Sequence, residues 1–400
     1  MRRAGAAVAV ASVVLLLAAA TAPPVAPAGE GRFDPQSLGE LWRYARDPLN
    51  GTLWSLCWSP DGGHVAAIYF DAHVVVLNAT TGKLERELIA HPASESRCDG
   101  YAPPGDLPGR AVAWSPDGRW LAASGDDRVI FVFDTTTWEA YRHLSGHSGS
   151  VLSLAWSHTG ERLASGSGRD KVLPSGPGEN AAFIWDVRAS SVVARFEGHT
   201  DGVLGLEWSP DDALIATASD DRTARIWDVA SGSEVARLEG HTSGVLDCSW
   251  SPNGTELVTG SRDYKSRLWD VPGNRSLGKW ADNNCVRSVD FHPTGTIVAT
   301  SGVDKTLKLR NATTGTVLVT IDDGIKLDSC VMKSRWDPAG ERIASGYGKS
   351  ATVVVYGEGR APAKGIGRGT VALAGVIVVS VAGAAVLLYP AVRKTRRRRG

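Results

Sequence analysis

The sequence has little cysteine, little histidine and no acidic residue near either end, and each shortage excludes something. Five cysteines in 400 residues are an odd number, so they cannot all pair within one chain, and none stand in pairs at zinc-site spacing. The nine histidines include no H-E-x-x-H pair. No G-x-S-x-G elbow or phosphate-cradling glycine loop occurs either, so the motifs of metalloproteases, serine hydrolases and nucleotide-binding enzymes are missing. The formal charge is zero because 43 basic residues offset 43 acidic ones, yet the signs are unevenly spread. Residues 1–28 hold Arg2 and Arg3, and residues 360–400 hold nine lysines and arginines, with no acid in either stretch. The body from 29 to 359 carries the other 32 basic residues and all 43 acids, a net charge of −11. Such a body lacks the surplus of Lys and Arg that neutralises a phosphate backbone, which argues against a nucleic-acid partner.

Both ends have the composition of membrane-directed segments. Met1-Arg2-Arg3 is a short basic start, Ala4 to Ala20 is apolar and uncharged, and small residues follow. This pattern fits a secretory signal over 1–28, cut after Ala26-Pro27-Ala28 or after Ala18-Ala19-Ala20, with a retained anchor as the competing reading. Val371 to Val392 runs for 22 residues without a charge, enough at about 1.5 Å per residue to cross a hydrocarbon core of about 30 Å. Arg393, Lys394 and Arg396 to Arg399 follow at once, and such clusters stay on the cytoplasmic side. The expected order is a signal at 1–28, a body at 29–357, a linker at 358–370, one transmembrane helix at 371–392 and a basic cytoplasmic tail at 393–400. The body is then expected outside the cell membrane in type I topology. Five of eight asparagines, Asn50, Asn78, Asn253, Asn274 and Asn311, stand in N-x-[ST] patterns, which fits glycosylation of an external surface. Turn formation is the other use of the same residues.

What the chain has in abundance is internal repetition. Between residues 50 and 356 one pattern recurs seven times, most clearly from Gly198 to Asp228 as GHTDGVLGLEWSPDDALIATASDDRTARIWD. Its neighbours open at Gly146 and Gly240 and close on Trp185-Asp186 and Trp269-Asp270. A repeat unable to bury its own apolar face must stack on the next one. Aromatic residues mark the end of the first strand in each copy: Trp58, Trp114, Trp156, Trp208, Trp250, Phe291 and Trp336, 41 to 56 residues apart. Within one copy, Val203–Trp208 suits an inner strand and Ser209-Pro210-Asp211-Asp212 a turn. Leu214–Ala218, Ala224–Trp227 and Glu234–Leu238 follow as second, third and outer strands. The seventh copy stops at Tyr356, one strand short, while Leu38–Tyr44 aligns with the outer-strand text Gly232–Leu238. That N-terminal strand is expected to complete the last sheet and remove an open edge. Ala90–Gly109 and Val172–Asn180 are insertions rich in Pro, Gly and polar residues, expected as loops.

The Gly-His opening, the WSPDG turn and the Trp-Asp close resemble the WD-repeat family of β-propellers, over about 320 of the 400 residues. The resemblance implies an all-β, seven-bladed propeller closed by the N-terminal strand, to which the sequence adds one C-terminal transmembrane helix. It also implies hydrogen-bonded tetrads: His147, Ser165, Asp170 and Trp185; His199, Thr217, Asp221 and Trp227; His241, Thr259, Asp263 and Trp269. A His beside an acid and a hydroxyl also suits a catalytic triad, but recurrence by blade and an indole N–H needing a buried acceptor favour a structural role. The tetrads decay towards the ends of the array, where Leu77, Phe133 and Arg310 replace Trp and Lys349 replaces Asp. No metal site and no cofactor is expected.

WD-repeat propellers generally bind partners on the face where the inner strands begin, which here is ringed by the residues four before each aromatic. These are Trp54, Arg110, Leu152, Leu204, Leu246, Arg287 and Met332, joined by Phe70, Asp126, Arg169, Asp220, Arg262 and Val303 ahead of the tight turns. Trp with Arg and aliphatic neighbours has the composition of an interface hot spot, though such side chains can also plug a channel. Cys285 and Cys330 each lie six residues before their aromatic, so neighbouring strands could bridge them, with Cys98 as a rival partner. The expected function is a non-catalytic scaffold for an unidentified protein or peptide, tethered through residues 371–392. The alternative is a small-ligand-binding or hydrolytic propeller resembling periplasmic ones, which a polar channel pocket with a perturbed acid or base would favour.

Overall fold

A computed structural model describes residues 33–47, 51–90, 108–168, 179–322 and 330–358. The described chain forms seven four-stranded antiparallel sheets, here called blades 1 to 7 in the order of their inner strands. Those inner strands are Leu53–Trp58, Gly109–Trp114, Ser150–Trp156, Val203–Trp208, Val245–Trp250, Val286–Phe291 and Val331–Trp336. Second strands such as Leu214–Ser219 are buried along almost their whole length, whereas outer strands such as Ser191–Glu197 alternate between exposed and covered positions, with Phe196 fully buried. A strand covered on both faces reads as an unbroken apolar run; one facing water on one side reads as alternation. The core accordingly lies between blades. One cluster joins Ala164, Ile184 and Phe196 of blade 3 to Leu206, Trp208 and Trp227 of blade 4.

The turn after each aromatic is set by its own side chains. Ser209 donates its hydroxyl to Asp211, and Leu214 N–H donates back to Ser209 Oγ at 2.9 Å. The fourth turn residue sits in the left-handed region in every blade, at φ 57° for Asp212 and 66–74° for six glycines from Gly62 to Gly340. A residue without Cβ adopts that conformation at no steric cost, which is why the pattern ends in glycine.

The ring closes as expected. Leu38–Ala45 pairs antiparallel with Thr352–Glu358 and becomes the outer strand of blade 7. Trp42 on this strand is buried and donates Nε1–H to Ala79 O of blade 1 at 2.7 Å. Arg46, just beyond it, lies 2.5 Å from Asp71 of blade 1. Trp58 Nε1–H donates to Arg335 O across the same seam at 2.8 Å. Trp156, Trp208 and Trp250 make the equivalent bond to Ala113, Ala155 and Glu207 of the preceding blade. The closing seam is thus built like an interior one.

The expected signal at 1–28, the transmembrane helix at 371–392, most of both insertions, Asn50, Cys98, Arg169 and Asp170 lie outside the described residues. Among the described residues no helix is long and apolar enough to cross a membrane. The Cys285–Cys330 bridge is not formed, and both thiols are free. Cys285 Sγ turns to Arg262 O at 3.7 Å and Cys330 Sγ to Met332 Sδ at 4.0 Å, so the two sulfurs face different neighbours.

Candidate functional site

Two tetrads form as the repeat pattern implies. His199 Nδ1 lies 2.7 Å from Asp221, its Nε2 lies 2.8 Å from Thr217 Oγ1, and Trp227 Nε1–H donates to that same oxygen at 2.9 Å. His241, Asp263, Thr259 and Trp269 repeat the arrangement at 2.8–2.9 Å. Blade 3 departs from expectation. His147 Nδ1 meets Glu179 at 2.5 Å, while Ser165 and Trp185 hold their places at 2.7 Å. Glu179 stands two residues before the third strand Ala181–Asp186, so the acid comes from the C-terminal end of the insertion. In blade 6, Arg310 fills the Trp position and donates Nε–H to Thr300 at 3.2 Å and Nη2–H to Asp282 at 2.6 Å. Burial lowers the pKa of His147 and His241. Burial also pushes Asp221 up, but hydrogen bonds from His199 and Thr223 outweigh it and hold the carboxyl well below its ordinary range. All three tetrad histidines are buried and engaged at both ring nitrogens, as scaffold residues are.

The expected asparagine sites serve turns. Asn78 and Asn311 are half-buried and accept backbone N–H bonds from the two and three residues ahead. Asn253 is exposed and accepts from Thr255 N, and Asn274 is exposed at φ 46°.

The mouth is built by a shared irregularity. In every blade the pairing between inner and second strands skips one residue, and the skipped residues are Trp54, Arg110, Leu152, Leu204, Leu246, Arg287 and Met332. A bulge takes a residue out of the ladder and re-aims its side chain. All seven line one cavity of about 890 Å³ at the centre of the ring. Met332 is buried, and the other six are half-buried.

The second expected ring divides. Asp220 and Arg262 line the cavity and pair with each other at 2.6 Å. Asp126 is buried, accepting two bonds from Arg110 at 2.8 and 2.7 Å, so it neutralises a mouth residue instead of facing a partner. The Arg110 guanidinium in turn lies 4.6 Å over the Trp54 ring. Phe70 is 40% exposed, but it and Val303 lie outside the cavity lining.

Further charged side chains of the channel wall escaped the sequence reading. Glu207, Asp290, Lys333 and Arg335 all line the cavity, with Asp247 buried behind them. Lys333 Nζ lies 2.8 Å from Asp247, and Arg335 reaches both Asp247 oxygens at 3.2 and 3.3 Å. Burial works against the Asp247 charge, but Arg335 and Lys333 hold its carboxyl below the ordinary range. Burial pushes Glu207 up to about 8, with repulsion from Asp290 adding to it. Burial likewise pushes Asp290 up to about 6, against the pull of Arg335.

The signal was present one position before each aromatic, where the copies read Cys57, Ala113, Ala155, Glu207, Ser249, Asp290 and Arg335. These side chains staple blades. Glu207 accepts Trp250 N–H at 2.6 Å, Ser249 accepts Phe291 N–H at 3.1 Å and Asp290 accepts Trp336 N–H at 2.7 Å. Burial pushes the Cys57 thiol up to about 12, so it stays a thiol at neutral pH. Among the described residues no group of three His, Cys, Asp or Glu could hold a metal ion. The arrangement can bind through ion pairs, donors and aliphatic contact.

A family profile described as "WD domain, G-beta repeat" matches residues 110–134, 138–173, 190–228, 232–270 and 275–311. The chain is 31% identical over 134 residues to meiotic fizzy-related protein 1 of Schizosaccharomyces pombe, covering 25% of this chain and 31% of that protein. It is 25% identical over 224 residues to WD repeat-containing protein 1 of Xenopus tropicalis, covering 47% and 35%. It is 29% identical over 166 residues to anaphase-promoting complex subunit cdc20 of Dictyostelium discoideum, covering 41% and 28%. The matches thus span about a third of the length of these relatives.

Proposed function

This chain belongs to the WD-repeat family of β-propellers, and on that premise we propose that it is a non-catalytic scaffold whose channel mouth holds a segment of a partner protein. The observation that carries this reading is the convergence of seven bulged residues on one cavity. A bulge weakens the ladder it interrupts, so its repetition in every blade serves to present side chains. Leu152, Leu204 and Leu246 form an aliphatic arc on blades 3 to 5, continued by Arg110 on blade 2 and Trp54 on blade 1, the mixture that anchors interfaces. WD-repeat propellers typically serve protein interaction, and the relatives' own partners are not carried over to this chain.

The display we propose is extracytoplasmic. It is supported by the apolar stretches 4–20 and 371–392, the basic cluster from Arg393 and the acidic body between them. The alternative, a small-ligand or hydrolytic propeller, draws support from Glu207 and Asp290, whose raised pKa values meet one condition set for it. Each of those carboxyls is occupied by a backbone amide of the next blade, so the scaffold reading stands ahead.

Crosslinking and affinity capture from intact cells, using the full chain, tests the proposal. A Trp54→Ala, Leu204→Ser double variant is expected to lose at least about tenfold in partner recovery, as hot-spot truncation does, while melting close to the wild type. Undiminished recovery would move the site off this face.

A further inference from the structure

Four of the five cations that line the cavity already face a carboxylate. Arg110 is bound by Asp126, Arg262 by Asp220, and Lys333 and Arg335 by Asp247. Arg287 is the exception among the described residues: it forms no ion pair, and its Nε is buried without a protein acceptor. Trp54 shows the same want, since its Nε1 is also buried and unaccepted while the Arg110 guanidinium stacks on its ring. Trp336 Nε1, on the same lining, is a third; buried N–H groups are paired in the great majority of cases, so three orphans on one cavity are informative. Blades 6 and 1 flank blade 7, so Arg287 and Trp54 come from either side of Met332, and Leu246 of blade 5 stands on the other flank of Arg287.

From this we infer that the mouth recognises a carboxylate set beside an aliphatic side chain, with Arg287 as its counter-ion and Trp54 as a second donor. The inference rests on the mouth being the partner surface. Guanidinium and carboxylate match in geometry as well as charge. A tract of acids does not fit, because the body already carries a net charge of −11 and would repel it. The ligand is a single acid, presented by a side chain of a partner peptide or as a free N-acylated amino acid.

The test uses the full chain in detergent micelles, probed with an array of acetylated, amidated pentapeptides that vary all residue types at two adjacent central positions. The wild type is expected to select Asp or Glu next to Leu, Ile, Val or Met, at least about tenfold over the Asn or Gln counterparts. Arg287→Gln should erase the acid preference and keep the aliphatic one, and Arg287→Lys should keep part of both. N-acetyl-leucine, titrated by calorimetry, separates the sources: binding that Arg287→Gln abolishes assigns a free acid, and no binding beside a positive array assigns a peptide side chain. Selection indifferent to acid against amide, an acid preference surviving in Arg287→Gln, or an array without binders overturns the inference. If the Trp54→Ala, Leu204→Ser variant loses array binding while Arg287→Gln behaves as wild type, only the carboxylate fails. If neither variant changes it, the mouth itself fails.

Discussion

The histidines of the tetrads show how neighbours decide a residue's chemistry. Trp227 N–H donates to the Thr217 oxygen, His199 Nε2 lies 2.8 Å from that same oxygen, and His199 Nδ1 lies 2.7 Å from Asp221. Both ring nitrogens are thereby engaged within the blade, with none left free to attack or accept anything. Glu207 is the residue with the clearest solution signature. Its folded pKa of about 8 lies above the ordinary 4.5, so the folded protein keeps a proton that the unfolded chain releases. Stability from this group is therefore complete below about pH 4.5, declines as pH rises, and is lost once pH passes about 8. Glu207→Gln keeps an oxygen for Trp250 N–H and removes the titration. We expect its thermal midpoint at pH 8.5 to exceed the wild type's by about 2–5 °C, with a flatter slope between pH 5 and 9. Calorimetric scans across that range check it; parallel slopes for the two proteins would mean Glu207 is not protonated in the fold. The tetrads of blades 4 and 5 were legible because their residues recur at constant spacing. Glu179 was not, because the insertion breaks the count between Ser165 and Trp185.

At the scale of elements, the closing strand matters most. Leu38–Ala45 completes blade 7, carries Trp42 into blade 1 and hands the chain to Arg46, so one strand joins both ends of the array. Deleting residues 38–46 exposes an unpaired edge and empties the Trp42 site, and truncating a buried Trp alone costs about 3–5 kcal/mol. Deleting residues 172–177 shortens an insertion whose Pro, Gly and polar composition is that of a loop, and loop closure cost changes by well under about 1 kcal/mol for such a change in length. The first deletion is expected to lower the melting temperature by more than about 10 °C and the second by less than about 3 °C. Similar melting of both would show that the ring does not depend on this latch. The strand was readable from its match to outer-strand text. The bulges were not, since a skipped residue in every copy leaves the repeat spacing unchanged and shows only in the pairing.

At the scale of the molecule, a closed acidic ring is expected to hang from a single membrane anchor. The full chain should remain in the membrane pellet after alkaline carbonate washing, and a chain lacking residues 371–392 should be released. Equal release of both would remove the anchor. The number of blades, their order and the closing strand were determined by the sequence alone. Each blade is a local copy of the same strand–turn text, and strand alternation and turn chemistry act over a few residues. The ring of mouth positions was determined the same way, by column. Only the tertiary structure decided what those positions are worth: Asp126 neutralises Arg110, Asp220 neutralises Arg262, and nothing among the described residues neutralises Arg287. It also decided that Lys333 and Arg335 meet Asp247 across 86 and 88 positions of sequence, and that Glu207 keeps its proton. Ion pairs and desolvation act over a few ångströms, and which residues come that close is set by the closing of the ring.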